Sequence, residues 1–442
     1  MSASASREEA VLPGRAGSAG PAARRGLLAF AEATLAAGAF AALCLVVLSV
    51  EPQIAEPDDG AYHHSIVAIT MGDLVTLSRP QLDAVDARLG GRAGVPNQWI
   101  ELPGGRYISE KNAGYPYLAA PFEALGIIRW APLFYGALAC VGLFVGARRW
   151  LGRFGGLAAV GLYCSSGAAI AFAWRDYMPT FTDASLIAAG SGVLLWAVLA
   201  TEATSRRRTW AGLAGFAAIE TATFVRYTNI VILGCAVAAV IVAWRLMAVR
   251  LPSRTLGLWL ASVAVFGAAV AIFDDLVYGG PLTTGYGAGE IAFDLGAIVP
   301  NLRSVPAQLI AGMPMLVLGL VALAWIGMRA HATRRTSGPA AEVARRDLRI
   351  GLALALSWFA VWGLYSAYTW TADPTTVTVQ VVRFYVPAIG AISLLGAWLV
   401  TRIRGPAWLA GLTAAAVITA MFGLGMSSFY AMYAAYGVPL GG

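Results

Sequence analysis

The sequence predicts an all-α, polytopic helical membrane protein with about eleven transmembrane helices and a long, partly helical first outer loop. Three observations carry this. Of 442 residues, 58% are hydrophobic and only 12% charged, with a mean hydropathy of +0.68. A soluble domain carries about 25% charged residues, so most of this surface must face lipid. The apolar residues fall in stretches of about 20, each able to cross a hydrocarbon core of about 30 Å as a helix. Basic clusters separate alternate stretches, the pattern that orients a chain in a bilayer.

The first 25 residues are rich in Ser, Ala, Gly and Arg and read as a disordered cytoplasmic tail. The apolar run after Arg24-Arg25 is too long for a cleaved signal and reads as the first span. Spans are expected at 26–50, 131–147, 155–174, 184–201, 209–225, 228–245, 256–273, 308–328, 350–369, 385–401 and 406–426. With the N-terminus inside, the inner segments hold 21 of the 31 Lys and Arg residues. This places a multi-pass chain in the cell membrane with its acid-rich loops outside. Residues 26–442 form one transmembrane domain, and the net charge of +7 reflects this sorting rather than a nucleic-acid patch. The four cysteines (Cys44, Cys140, Cys164, Cys235) lie within apolar stretches, which argues against a disulfide framework or a zinc site.

Residues 51–130 make an outer loop far longer than the others, and loops of this length are usually functional or disordered. Its composition favours structure. Tyr62, Ile66, Ile69 and Val67, Met71, Leu74 recur at helical spacing, which predicts a surface helix over 59–77. Ser78-Arg79-Pro80 opens a second helix, with Ser78 as N-cap. Residues 99–109 read as a hairpin around Pro103-Gly104-Gly105.

Asp58 and Asp59, just past the first span, are the leading chemical candidates. A carboxylate there is ionised at neutral pH and can accept a proton from a hydroxyl; as a plainer alternative, an aspartate can cap a helix. His63-His64 follow. Asp59 and His63 are four apart, so a divalent metal is conceivable, but adjacent histidines cannot both face one ion from a helix. Lys111, the only lysine, sits in an aromatic, Gly/Pro-shaped loop and suits a lipid phosphate or a snorkelling anchor. Arg175, Asp176 and Asp183 occupy a short outer turn, where Asp183 could cap the next helix. Glu220 and Arg226 lie in or at the end of an apolar stretch, six residues apart and on different helix faces. Asp274-Asp275 is a second acidic pair, before a Gly-rich loop ending at Tyr286, and rivals the first. Arg383 stands at the outer mouth of a late span, where a phosphate or pyrophosphate is a natural partner.

In order along the chain, these pieces resemble the GT-C superfamily of membrane glycosyltransferases, and more narrowly the bacterial relatives of protein O-mannosyltransferases and of the lipid A aminoarabinose transferase. Four features carry the resemblance. Asp58-Asp59 follows span one. Residues 107–121 are similar to the family's aromatic-x-x-Lys and Gly-Tyr-Pro-x-Leu-x-x-Pro run, residues 278–286 to its aromatic-Gly-x-Pro-Leu-x-x-Gly-Tyr segment, and Arg383-Phe384-Tyr385-Val386-Pro387 to its late Arg-aromatic-x-x-Pro. The resemblance implies an inverting transferase using a polyprenyl-phosphate-linked sugar as donor. Its acceptor would be a glycan, a glycolipid or a protein. By the same resemblance Asp58 or Asp59 is the base, Lys111 and Arg383 hold the donor phosphate, and Asp183 or Asp176 fills the second-loop acidic position. His63, Tyr115, Arg175 and Tyr286 are further candidate contacts to donor or acceptor. The resemblance indicates no cofactor, and whether a divalent metal takes part is left open. The competing class is a transporter or lipid flippase, which would line a midplane path with ionisable residues and pair its repeats; here such residues gather on one outer face.

Overall fold

The computed structural model describes residues 21–51, 57–91, 95–246, 251–281, 283–286, 293–373, 375–403 and 406–436. Most of the expected tail therefore lies outside the described residues. The first apolar run forms α1 (Pro21–Ser49). The long first loop gives α2 (Pro57–Thr70), β1 (Thr76–Ser78), α3 (Arg79–Arg88), β2 (Trp99–Leu102), β3 (Arg106–Ser109) and α4 (Gly114–Ala124). The bundle continues with α5 (Trp130–Leu151), α6 (Gly155–Cys164), α7 (Gly167–Ala173), α8 (Thr180–Leu199), α9 (Ser205–Val225), α10 (Ile230–Leu246) and α11 (Ser253–Tyr278). It closes with α12 (Ile298–Gly312), α13 (Leu316–Ala332), α14 (Pro339–Ser366), α15 (Thr378–Val382), α16 (Ile389–Val400) and α17 (Ala407–Tyr436).

The chain is an all-helical, multi-pass membrane protein, but the count of eleven spans does not carry over. Among the described residues, seven helices are long and apolar enough to cross a membrane, or nine if each of two bent pairs is one span. The reasons are local. Residues 155–174 break by 60° between α6 and α7, and the 308–328 stretch bends by 107° at Met313-Pro314-Met315. The segment at 385–401 shortens to an apolar helix over Val386–Val400. α9 has the length, but Arg206, Arg207, Arg208 and Glu220 lower its hydropathy. α6 and α7 are buried along their whole length, so the broken pair forms the centre of the bundle rather than its lipid surface.

Close backbone approach holds that centre together. A Cβ on Gly192 of α8 would lie 2.2 Å from the Gly142 carbonyl oxygen of α5, and one on Gly142 would lie 2.4 Å from the Ala189 carbonyl. In a bilayer, where apolar surface gives no net drive to associate, such small-residue seams let van der Waals packing act. At the end bearing the basic clusters, the carboxylate of Asp347 is 1% exposed and ties three helical segments together. It accepts from Trp150 Nε1 (3.0 Å), Trp398 Nε1 (3.0 Å) and Arg402 Nη2 (2.8 Å).

The first loop folds as a small layer on the opposite end. β2 and β3 pair antiparallel through the turn at Gly104 (φ +88°) and Gly105 (φ +70°), and β1 adds to β3 in the order β1-β3-β2. Ser78 opens α3 as expected, its N–H and hydroxyl each donating to Gln81 Oε1 at 2.8 Å, with Pro80 in the first turn. The surface helix expected over 59–77 is shorter. It stops at Thr70 before Gly72 (φ +89°), and Met71 and Leu74 are exposed. Nor is it an amphipathic surface helix. Tyr62 and Ile66 enter the bundle core, while Ala61, Val67 and Ala68 pack with Leu77, Leu82, Val85 and Trp99. α2 is thus clamped between two layers, which fixes the direction of the side chains in its first turn.

A Gly192→Val substitution should collapse the α5–α8 seam. Overpacking costs about 1–3 kcal/mol where side chains can yield, and here the obstacle is backbone, so the loss should be at or above the upper end. The monodisperse yield after detergent extraction should fall several-fold. Gly363→Ala, where a Cβ meets nothing within 4 Å, should leave it unchanged.

Candidate active site

A cavity of about 720 Å³ opens between the first-loop layer and the end of the bundle that carries it. Asp58, in the first turn of α2, points into it. Its Oδ1 accepts from Gln98 Nε2 (2.8 Å) and lies 3.3 Å from Lys111 Nζ; its Oδ2 lies 3.0 Å from Arg383 Nη1. Burial pushes this carboxyl up, but the Arg383 and Lys111 charges outweigh it and hold the group well below the usual carboxylate range. The capping alternative is not how the pair sits: Asp58 and Asp59 both lie inside the first turn, after Pro57.

The hairpin supplies the cation. Glu110 N–H donates to the Gln98 carbonyl (2.9 Å) at the base of the hairpin, so Gln98 and Lys111 arrive side by side beneath α2. Gln98 takes φ +64°, a left-handed conformation uncommon for a non-glycine residue and often found where a side chain must be aimed. Lys111 is 8% exposed, 2.9 Å from Glu110 Oε1 and 4.9 Å over the Tyr286 ring. Burial pulls its ammonium down, but Tyr286, Asp58 and Glu110 hold it above its ordinary value, so it stays charged. Tyr286 reaches this place because Gly285 lies against the Glu110 backbone, where a Cβ would come within 2.6 Å. Arg383 packs its guanidinium on Trp370 (4.9 Å) and Phe384 (4.8 Å).

A third cation was not anticipated in this role. Arg226 lines the cavity, and its charge is met by Asp183 rather than by Glu220: Arg226 Nε lies 3.1 Å from Asp183 Oδ2. Arg226 also donates to Thr180 Oγ1 (2.8 Å) and to the Arg383 carbonyl (3.0 Å). Asp183 is fully buried in the first turn of α8, not ahead of it, and also accepts from Asn229 Nδ2 (3.2 Å). Glu220 accepts from Ser262 (3.3 Å). No spacing rule could have paired Asp183 with a residue this far along the chain. Glu110, Gln98 and the aromatic wall of Phe293, Tyr365, Tyr368 and Trp370 were likewise invisible as site residues.

Other expected residues form the layer behind. Asp59 pairs with Arg175, both almost fully buried. The Tyr115 hydroxyl donates to the Asp176 carbonyl, and its ring meets Tyr62 edge-on at 5.8 Å. His63 stacks on Tyr177 at 3.9 Å. None of Asp59, His63, Tyr115, Arg175 and Asp176 lines the cavity. The rival pair is also elsewhere: Asp274 accepts from the Tyr227 hydroxyl (2.7 Å), and Asp275 is exposed. Among the described residues, no group of three His, Cys, Asp or Glu side chains could hold a metal ion. The cavity wall therefore combines three cations, two carboxylates and a bank of aromatic rings. It can take an anion and present a base beside it.

No family model matches the sequence, and no curated protein does. Solved structures share the fold. ArnT from Cupriavidus metallidurans in the apo state superposes with a TM-score of 0.52 and 17% identity, over 86% of this chain and 62% of that one. The Archaeoglobus fulgidus oligosaccharyltransferase in the apo form gives a TM-score of 0.50 and 11% identity, over 90% and 56%. Both are GT-C membrane glycosyltransferases, so the resemblance drawn from the motifs is met at the level of fold. The chain spans about three fifths of the length of these structures.

Asp176 gives a pH signature. Its Oδ1 is buried without a hydrogen-bond partner. Burial, with Asp59 and Glu123 adding to it against Arg129, raises the carboxyl from 3.8 to about 7. The unfolded chain releases this proton near its ordinary value while the folded chain retains it. Stability should therefore fall as pH rises from about 4 to about 7 and then level. The thermal midpoint of Asp176→Asn should fall less over that range than that of the parent.

Proposed function

We propose that this chain is a glycosyltransferase that moves a sugar from a polyprenyl-phosphate donor to an acceptor hydroxyl at the outer face of the cell membrane, with inversion. The observation that carries this reading is the shared carboxylate. Asp58 lies within 3.3 Å of both Lys111 and Arg383, at the mouth of an aromatic cavity above an apolar bundle. The fold shared with membrane glycosyltransferases adds to it, although fold alone does not fix chemistry.

The donor phosphate binds Lys111 and Arg383, with Arg226 as the third cation facing the cavity. Asp58 pairs with the first two cations, so a phosphate competes with it for both. Once they turn to the phosphate, Asp58 regains basicity, accepts the acceptor's hydroxyl proton, and the oxygen attacks the anomeric carbon. The bond from that carbon to the phosphate oxygen breaks, and polyprenyl phosphate leaves with its charge met by the cations. A carboxylate released from two cations only after the donor arrives is a base switched on by substrate. Asp59 and Asp183 act through Arg175 and Arg226, which fix α2 and the cavity floor. The neutral aromatic wall gives the sugar ring a face to pack against.

Asp58→Asn should lower sugar transfer about 100-fold or more, the scale of a lost general base, with donor binding at least as tight as in the parent; full activity in this variant sinks the mechanism. Lys111→Ala should weaken binding of a polyprenyl-phosphate sugar about tenfold in a direct binding assay, and unchanged affinity would remove its role.

A further inference from the structure

A second cavity, of about 370 Å³, lies between α8, α10 and α14, well away from the first. Its size falls in the range of small-molecule sites. It exists because α10 and α14 offer alanine where a larger side chain would fill the gap, at Ala236, Ala239, Ala243 and Ala353. The cavity opens sideways: Val242, Leu352 and Leu356 on its rim are 46%, 57% and 48% exposed. All three flanking helices are long and apolar enough to cross a membrane, so the opening faces lipid.

The two ends of the groove differ. Away from Arg349, Cys235 Sγ of α10 lies 3.8 Å from the Leu356 carbonyl oxygen of α14. At the basic end stands Arg349, the only charged residue in its lining among the described residues. From Arg349 to Ser357 the α14 rise is about 12 Å, the length of part of one acyl chain. Arg349 is half-buried and has no ion pair with a described residue. The nearby Asp347 is already engaged by Arg329, Arg346 and Arg402. An apolar groove that opens into a bilayer takes up hydrocarbon, and a guanidinium at its end favours a phospholipid of net negative charge over a zwitterionic one, whose own cation competes for the phosphate. Arg349 stands directly before the apolar run expected to span at 350–369, the level at which a lipid phosphate lies.

We infer that the groove is a lipid site: one acyl chain of an anionic phospholipid lies between α8, α10 and α14, and its phosphate is bound by Arg349. The site is independent of the transfer reaction and of the polyprenyl donor.

Native mass spectrometry of the full chain in a mild detergent tests this, with phosphatidylglycerol or phosphatidylcholine of equal chain length added. Phosphatidylglycerol should be retained about tenfold better. Arg349→Gln, a partly exposed position whose loss leaves the core intact, should abolish that preference. Ala353→Leu should lower retention of both lipids by filling the groove. Equal retention of the two lipids by the parent chain would overturn the proposal, as would an unchanged preference in Arg349→Gln. Preferential uptake of undecaprenyl phosphate, lost in Ala353→Leu but not in Arg349→Gln, would overturn it in favour of the donor's tail.

Discussion

The contact of Asp58 with Lys111 and Arg383 joins three separate parts of the chain through one shared carboxylate. Asp58 comes from the helix after the first span, Lys111 from the base of the hairpin, and Arg383 from a segment 325 residues beyond Asp58. The three charges lie in a partly buried setting, where an unmet charge costs several kcal/mol. Each therefore constrains where the other two can be. The first-loop layer, the entry of α4 and the 378–384 segment are held in register by this requirement as much as by apolar contact.

The same logic repeats behind it. Asp59 with Arg175 and Asp183 with Arg226 are buried pairs whose removal from water is offset only by close geometry and added hydrogen bonds. Arg226 is the clearest case, since it also meets Thr180 and the Arg383 carbonyl. These pairs add little net stability compared with apolar residues of similar size, but they specify one arrangement. A cavity that must hold cations ready for an anion has use for specificity of that kind. The opposite end of the bundle is built differently: there a single carboxylate, Asp347, gathers two tryptophan N–H groups and three arginines, and it lines neither cavity.

Much of the local structure was legible because its causes are local. Apolar run length gave the helices, and each of the eleven stretches does hold one. Pro103-Gly104-Gly105 gave the hairpin, since two successive positive φ values need glycine. Ser78-Arg79-Pro80 gave the start of α3. Counting complete crossings failed because hydropathy does not register bends: α6 and α7 are as apolar as any span yet break at 60°, and the centre of the bundle, not lipid, surrounds them. The end of α2 was missed because Met71 and Leu74 keep helical spacing past the glycine that stops the helix.

For the site, the sequence by itself determined which residues had chemistry to offer and that the acidic pair, the lone lysine and the late arginine occur in a recognisable order. Only the tertiary structure decided their parts. Asp58 and Asp59 are adjacent, but successive helical residues point about 100° apart. With α2 clamped between two layers, one carboxylate faces the cavity and its cations while the other faces Arg175 in the core. Asp183 turned from a capping residue into the buried partner of Arg226 for a similar reason. Distances between charges are set by packing of segments far apart in the chain, and neither spacing nor composition encodes them.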